Sequence, residues 1–428
     1  MPITFMHIAD IHLGYQQYGL QERFDDFSRT FLSLVEQAIV RQVNFVLLAG
    51  DLFEKRTVDP LAMRVAIEGL TQLQEAGIPV LAVEGNHERA YYQEQYSWMD
   101  FLDALGYLRL LNPRFEGGVP MLEPHGAEGG AYVDLAGGIR VYGLQYYGAS
   151  INKAIQGFDA AVADMDHSAV QYIILMLHAG LEGQLEHTGR LKYDDLAPLR
   201  ERVDYIALGH IHKPYSVDDW IYNPGSPETN SIEETAWPER GCLFVEVHPG
   251  QRPPHRVDVQ PAPRRAFHRF RIAVDTLETP HAVYDAVQRL TIREAAYIAQ
   301  SSRPMVEVTL SGVLPFNRYD LDVSHIEQVV TSAWSPLVTR VRNQTSPVEF
   351  ALALDETASR PELEHAIVQE LLTRDARFRP AAAAWTAGAL DLKRLVLEDS
   401  APDAIIAHVR QLHREIGAWD TVPSSEEA

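Results

Sequence analysis

The chain has 428 residues, of which 46% are hydrophobic and 22% charged, a composition ordinary for a soluble protein and long enough for two or three domains at about 150 residues each. A single cysteine excludes an internal disulfide framework, and no apolar run approaches the roughly 20 residues that span a bilayer. The formal net charge of −22 sets the overall field against polyanionic partners.

The first element reads as a strand, ThrPheMetHisIleAla at 4–9, running into Asp10 and His12. Phe24, Phe27, Phe31, Leu34, Val35 and Ala38 recur at helical spacing and predict an amphipathic helix. A second short strand, PheValLeuLeuAlaGly at 45–50, runs into Asp51. Asp59 and Pro60 supply an N-cap and a first-turn proline for a helix through about Glu75, closed by Gly77. ValLeuAlaValGluGly at 80–85 leads to Asn86 and His87, and a further helix is expected from about Glu94 to Leu105. Strand, helix, strand, helix, strand specifies a layered α/β domain with a largely parallel core. Segments flanking AlaGlyGly at 136–138 alternate as a hairpin, giving an antiparallel edge between about 131 and 147. IleIleLeuMetLeu at 173–177 then ends at His178, and TyrIleAlaLeuGly at 205–209 at His210 and His212.

Cys242 sits in the strand-like GlyCysLeuPheValGluVal and reads as a small buried hydrophobe. Proline-rich punctuation at 249–254 and 261–265 closes a first domain, taken as 1–255. Residues 265–345 read as a small α+β unit: strand 267–274, helix from about Pro280 to Ala299, strand 305–310, helix from about Val323 to Trp334, strand 337–342. A helical segment follows over 358–418 with apolar stripes Leu363, Ile367, Leu371 and Ile405, Val409, Leu412, and 419–428 reads as a disordered tail.

Five apolar runs thus end in donor side chains: Asp10, His12, Asp51, Asn86, His87, His178, His210 and His212. Side chains just past the ends of buried strands sit at the sheet rim, where open α/β folds bind ligands. Carboxylate, amide and imidazole donors without thiolates suit divalent manganese, iron or zinc. Eight donors exceed one ion's needs and suit two ions bridged by a carboxylate. Asp51, at the end of a strand expected to be central, is the bridge candidate. A lone histidine past a strand is ordinarily a hydrogen-bonded residue; the joint occurrence at five strand ends is what points to metal. His7, His125, His187, His255 and His268 fit no such pattern and read as hydrogen-bonded or solvated, with His7 packed within its strand.

AspIleHisLeuGly at 10–14, GlyAspLeuPhe at 50–53, GlyAsnHisGlu at 85–88, HisAlaGly at 178–180 and GlyHisIleHis at 209–212, with AsnProGlySer at 223–226, resemble in order and spacing the signatures of the calcineurin-like metallophosphoesterases. Within these they resemble the SbcD-type nuclease subunits of DNA double-strand-break repair, over roughly the first 230 residues. The resemblance implies a four-layer sandwich, two sheets flanked by helices, with a small α+β capping domain and a C-terminal helical segment. It implies that Asp10, His12, Asp51 and His212 hold one divalent ion and Asp51, Asn86, His178 and His210 the other, both Mn2+, while the catalytic His87 faces the scissile phosphate and stabilises charge or protonates the leaving oxygen.

The reaction so implied is metal-assisted exonuclease or endonuclease hydrolysis of DNA. The expected setting is a cytoplasmic, nucleoid-associated homodimer, joined through the helices near 60–75 and 94–105, with its C-terminal segment docked on an SMC-like coiled-coil ATPase of SbcC type and no membrane involvement. Lys55, Arg56, Arg89 and Lys213 are candidate DNA contacts, as are Arg264 and Arg265 within a cluster that includes Arg252, Arg256, Arg269 and Arg271; such local basic groups, the ions and a partner subunit would reconcile DNA binding with the acidic chain. Glu54 departs from the pattern, because several members carry histidine there; a carboxylate would repel phosphate or bind a neighbouring base, which leaves the preference between duplex ends and single strands open. The competing functions are a phosphatase or cyclic-nucleotide phosphodiesterase on small substrates, and a dimeric DNA-tethering scaffold with a vestigial site.

Overall fold

The computed structural model describes residues 2–90, 96–127, 129–185, 191–251, 253–347, 359–374, 377–398 and 401–416. The chain divides into two units, Met1–Arg269 with Ala295–Glu307 and Ser335–Thr339, and Phe270–Glu294 with Val308–Trp334 and Arg340–Ala428.

The first unit opens with β1 (Ile3–Ile8), α1 (Gln21–Val40), β2 (Phe45–Leu48), α2 (Pro60–Glu75), β3 (Val80–Ala82), α3 (Trp98–Ala104) and β4 (Arg109–Leu110). A ribbon of β5 (Phe115–Glu116) and β6 (Val119–Pro120) precedes β7 (Tyr132–Leu135), β8 (Ile139–Leu144), α4 (Ile151–Ala163) and β9 (Tyr172–His178). There follow α5 (Tyr193–Leu196), β10 (Tyr205–Gly209), β11 (Tyr215–Val217), β12 (Ile221–Asn223), β13 (Gly241–Val247) and β14 (His255–Pro261). Two six-stranded sheets result, ordered β14-β13-β1-β2-β3-β4 and β11-β12-β10-β9-β8-β7. The strands that carry the donor residues, β1, β2 and β3 in one sheet and β9 and β10 in the other, run parallel to one another; β13 lies antiparallel beside β1, antiparallel β14, β7 and β11 close three margins, and parallel β4 closes the fourth.

Side-chain alternation along these strands builds the layers. On β2, Phe45 and Leu47 enter the core shared with the second sheet, while Val46 and Leu48 enter the core under α1 and α2. On β9, Tyr172, Ile174 and Met176 fill the same intersheet core, and Ile173, Leu175 and Leu177 turn toward α4. Strands buried on both faces must be apolar throughout, which is why they read as unbroken hydrophobic runs. Each such side chain contributes roughly 1.5–3 kcal/mol on leaving water. The architecture is the expected α/β four-layer sandwich.

The helices follow their spacing. All six apolar residues predicted to line α1 are buried. Asp59 caps α2 by accepting from Leu61 N at 2.8 Å, with Pro60 in its first turn. α3 starts at a capping box between Ser97 and Asp100; the earlier start expected near Glu94 lies outside the described residues, as do His187, Arg252 and the tail at 419–428.

One boundary is corrected. β14 pairs along its whole length with β13, from His255 opposite Val247 to Pro261 opposite Gly241, so the first sheet continues past the expected limit at 255. The prolines at 253 and 254 turn the chain into a hairpin and do not end the domain. The stretch 267–347 contains β15 (Phe267–Ala273), α6 (Pro280–Arg293), α7 (Ala295–Ile298), β16 (Met305–Leu314), α8 (Val323–Trp334) and β17 (Val338–Pro347), with its sheet ordered β15-β16-β17. The single helix expected over 280–299 breaks at Glu294, whose ψ of 0° leaves the helical region. In the second unit α10 (Ala382–Leu397) packs against both α9 (Arg360–Arg374) and α11 (Pro402–Ile416). Among the described residues no helix is long and apolar enough to cross a membrane.

Candidate metal centre

All eight donor residues lie at or just past strand ends at one edge of the two sheets. β1 delivers Asp10 and His12, β2 Asp51 and β3 Asn86 and His87; from the second sheet β9 delivers His178 and β10 His210 and His212. The loops that carry them are strained: Asp10, His12, Asp51 and His210 have φ of 55°, 54°, 54° and 84°, a region that costs non-glycine residues about 1–3 kcal/mol each and that clusters at functional sites. Glycines let these loops close on one another. A Cβ on Gly85 would lie 1.9 Å from Asp51 Oδ1, and one on Gly50 would lie 2.2 Å from His178 Nδ1.

Donor atoms of these residues gather in two clusters. Ligand atoms of Asp10, His12 and His212 lie within 4.8 Å of one another, and so do those of Asp51, His178 and His210. Asn86 joins the second cluster, its Oδ1 lying 3.1 Å from His178 Nε2 and 2.9 Å from His210 Nδ1. Asp51 Oδ2 faces both clusters, 4.0 Å from His12 Nε2 and 3.2 Å from His178 Nε2, the disposition a bridging carboxylate needs.

Hydrogen bonding on the far side of each ring decides which nitrogen is left for an ion. Ala49 O, which can only accept, takes the Nδ1 proton of His178 at 2.7 Å. Glu234 Oε1 does the same for His212 at 2.7 Å, whereas Glu54 Oε2 lies 2.9 Å from His12 Nδ1 as an ion-pair contact without the alignment of a hydrogen bond. The Nε2 lone pair of His212 therefore faces His12 Nε2 at 3.1 Å, and that of His178 faces the oxygens of Asp51 and Asn86. Electron pairs so arranged repel unless a cation lies among them, and this is the observation by which the residues fit a divalent pair. With protons as the only cations, burial opposes charge on His178, yet Asp51 beside it holds the imidazolium pKa up at about 9, and the pair keeps Asp51 ionised well below the usual carboxylate range. Burial and the neighbouring His178 push His210 down to about 4.

His87 is placed differently. Its backbone N donates to Asp51 Oδ1 at 3.0 Å, and its Nδ1 donates to Glu54 O at 2.6 Å, which leaves Nε2 as the working nitrogen on a half-buried ring. The ring packs edge-on to His12 with centroids 4.9 Å apart.

The basic candidates separate into two kinds. Lys55, Arg56 and Arg89 are exposed on loops beside the donors, whereas Lys213 is half-buried and donates to Gln184 O at 3.1 Å. Arg264 donates to Arg240 O and Pro238 O, and Arg265 makes a two-pronged pair with Asp26 and donates to Arg303 O. The guanidiniums of Arg264 and Arg265 are thus engaged within the protein, in a buried network that includes Arg23, Glu228 and Arg240.

Three supporting residues escaped the sequence reading. Glu88 accepts from the backbone N of Asp51, Phe53 and Gly85 at 3.1, 3.0 and 2.9 Å and pins two ligand loops together; its place in the third motif was the available signal. Tyr146, just past the end of β8, sets its ring 5.4 Å from that of His210, and nothing in an apolar run marks it. Glu234 backs His212 from a short 3-10 turn, with no signal in its surroundings. Glu54 was noticed as a departure, but its carboxylate is turned onto His12.

Comparison with known proteins agrees with this geometry. The calcineurin-like phosphoesterase family matches residues 3–214. The chain is 27% identical to the DNA double-strand break repair protein Mre11 of Aeropyrum pernix over 328 residues, which cover 73% of this chain and 74% of that protein. Proteins of the same name from Archaeoglobus fulgidus and Saccharolobus solfataricus are 28% and 30% identical, over 55% and 54% of this chain. The matched stretch spans about half the length of these last two, 52% and 56%.

Proposed function

Because this chain belongs to the calcineurin-like phosphoesterases, we propose that it is a metal-dependent DNA nuclease of double-strand-break repair, holding two divalent ions, Mn2+ by preference. Asp10, His12, Asp51 and His212 hold one and Asp51, Asn86, His178 and His210 the other. The observation that carries the reading is the convergence of the His12, His212 and His178 Nε2 atoms on the carboxylate of Asp51 and the amide oxygen of Asn86, with the opposite nitrogens of His178 and His212 bound to acceptors. The similarity to repair proteins named Mre11 supports DNA as the substrate.

Ions at these positions supply Lewis acidity toward a phosphodiester and a lowered pKa for water. The protein's own part is to orient and to move a proton. Glu54 O holds the His87 ring through Nδ1–H, so that Nε2 faces outward; in its doubly protonated form the ring gives its Nε2 proton to a phosphate oxygen or the departing alkoxide and is left neutral, with a lone pair at Nε2. Asp51 fixes the same residue through its backbone, which ties the acid to the bridging carboxylate. Tyr146 walls one side of His210 and keeps that imidazole in place. Lys55, Arg56 and Arg89, exposed beside the donors, are the groups placed to steer a DNA backbone toward the edge; Arg264 and Arg265 are left out of that role by their internal bonds.

Assembly follows the same reading. Trp98 and Phe101 on α3 and Leu105 at its C-cap are 39%, 40% and 53% exposed, and Leu61 on α2 is 46% exposed; exposed apolar surface of this kind marks an interface, and a homodimer is its expected occupant. Ile367, Leu371 and Val409 on the C-terminal helices are also exposed and support docking of an SMC-like ATPase subunit of SbcC type. The test is cleavage: with Mn2+ the protein should degrade a DNA duplex, and Asp51→Ala should lower the rate about a thousandfold or more, the several kcal/mol that bound ions supply. Undiminished cleavage by that variant, or turnover of a small phosphodiester with none of DNA, overturns the reading.

A further inference from the structure

The two ion positions are built with unequal surroundings. In the first, both imidazoles have a carboxylate at the far nitrogen: Glu54 Oε2 lies 2.9 Å from His12 Nδ1, and Glu234 Oε1 lies 2.7 Å from His212 Nδ1. In the second, His178 is backed by the neutral carbonyl of Ala49 at 2.7 Å, and a third donor is the neutral amide of Asn86. With Asp51 shared between them, Asp10 and both outer carboxylates fall to the first position. A carboxylate behind a ligand imidazole fixes the tautomer, makes the ring a stronger donor and adds negative potential at the ion.

The two outer carboxylates are not equivalent either. Glu234 also takes a hydrogen bond from Arg240 at 2.7 Å, which offsets its charge. Among the described residues the ion pair of Glu54 is with His12, and no arginine or lysine pairs with it. Its main chain has a separate task, because Glu54 O accepts the Nδ1 proton of His87. Replacing the side chain therefore leaves the partner of the catalytic histidine in place.

We propose that Glu54 is a positioning residue that makes ion binding sequential: the position formed by Asp10, His12, Asp51 and His212 fills first and more tightly, and the Glu54 carboxylate behind His12 sets the gap between the two steps. The inference rests on the two-ion reading of the centre. It also gives the departure at this position a role other than contact with DNA, since the carboxylate oxygen nearest the centre is turned to His12.

The experiment is a titration of the metal-free full chain with Mn2+, following free ion by electron paramagnetic resonance. Wild type should take up two ions in two steps, the tighter by about tenfold or more. Glu54→Ala should weaken the tighter step about tenfold or more, within the 10–100-fold range for lost outer-shell partners, and leave the weaker step within about threefold. Glu54→Gln keeps the side chain's size and polarity behind His12 but no charge, and should fall between wild type and alanine. Asn86→Ala should do the reverse and remove the weaker step alone. If wild type binds no Mn2+, or Asn86→Ala leaves both steps intact, the two-ion reading itself fails. If wild type binds two ions but Glu54→Ala shifts both steps alike or neither, only the role of Glu54 is overturned. Uptake of a third ion that Glu54→Ala abolishes would make Glu54 a ligand and overturn it equally.

Discussion

The two sheets bring different chemistry to one edge. Strand ends of the first supply both carboxylates and the amide, Asp10, Asp51 and Asn86, together with His12 and His87; those of the second supply imidazoles alone, His178, His210 and His212. Neither set suffices for two ions, because the first is short of neutral nitrogen donors and the second has no charge to offset the cations. The site is therefore a property of how the sheets pack, and the approaches across the gap, His178 to Ala49 O at 2.7 Å, His210 to Asn86 at 2.9 Å and His12 to His212 at 3.1 Å, register that packing directly. Groups that never touch an ion can disturb it by moving one sheet edge against the other.

The sharpest division to test lies within the first sheet's contribution, between the residues proposed to hold ions and His87, proposed to hold none. His87→Ala should lower the rate of DNA cleavage by about a hundredfold to ten-thousandfold, the usual contribution of a positioned acid. Uptake of Mn2+ should stay at two ions, because the ligand set is complete without that ring. Loss of an ion in this variant would place His87 among the ligands and move the acid elsewhere.

How much of this was legible in the sequence follows from the same contrast. Strand ends announce themselves because a strand buried on both faces must be an unbroken apolar run, so the polar residue that ends it stands out; Asp51 after PheValLeuLeuAlaGly is the clearest instance. Helices were readable where a cap coincided with periodicity, as at Asp59 and Pro60. Glu234 was hidden because it lies in a short irregular turn that only the fold brings behind His212. Arg264 and Arg265 looked like a basic edge because a run of charge is the same in sequence whether its partners are solvent or Asp26 and the backbone of Pro238 and Arg303. The extension of the first sheet through β14 was missed for a related reason: proline pairs mark a turn, and only strand pairing tells a hairpin from a linker.

A smaller effect is expected from the glycine that lets two loops of the first sheet meet. A Cβ at Gly85 would come within 1.9 Å of Asp51 Oδ1 and 2.5 Å of Asp51 N, backbone that cannot swing aside. Gly85→Ala should therefore displace the carboxylate that faces both clusters. The expected loss is about 1–3 kcal/mol of folding stability, the usual range for overpacking, with weaker Mn2+ binding at both steps because Asp51 is common to them. If both steps and the urea midpoint were unchanged, Asp51 would not be the bridge.

The smallest effect concerns what spaces the sheets. His7 on β1 lies between Tyr205 Oη and Leu208 O at 3.0 Å each, and His255 on β14 lies between the hydroxyls of Tyr172 and Tyr222 at 2.6 and 3.0 Å; both are buried. Burial pushes their pKa values down, to about 3 and about 4, so each is neutral when folded and takes up a proton near pH 6.5 when unfolded. The unfolded chain thus binds more protons between pH 6.5 and 4, and the stability these rings contribute is present above about 6.5 and is lost as pH falls. The net charge of −22 acts oppositely, because acid relieves repulsion in the compact state. The informative quantity is the difference between wild type and His255→Gln, which keeps hydrogen-bonding groups but cannot titrate. Between pH 7 and pH 6, wild type should lose on the order of 0.5–1 kcal/mol more than the variant in urea unfolding. Parallel pH profiles for the two proteins would mean that His255 is already solvated in the folded state, and that the aromatic layer between the sheets is looser than its hydrogen bonds imply.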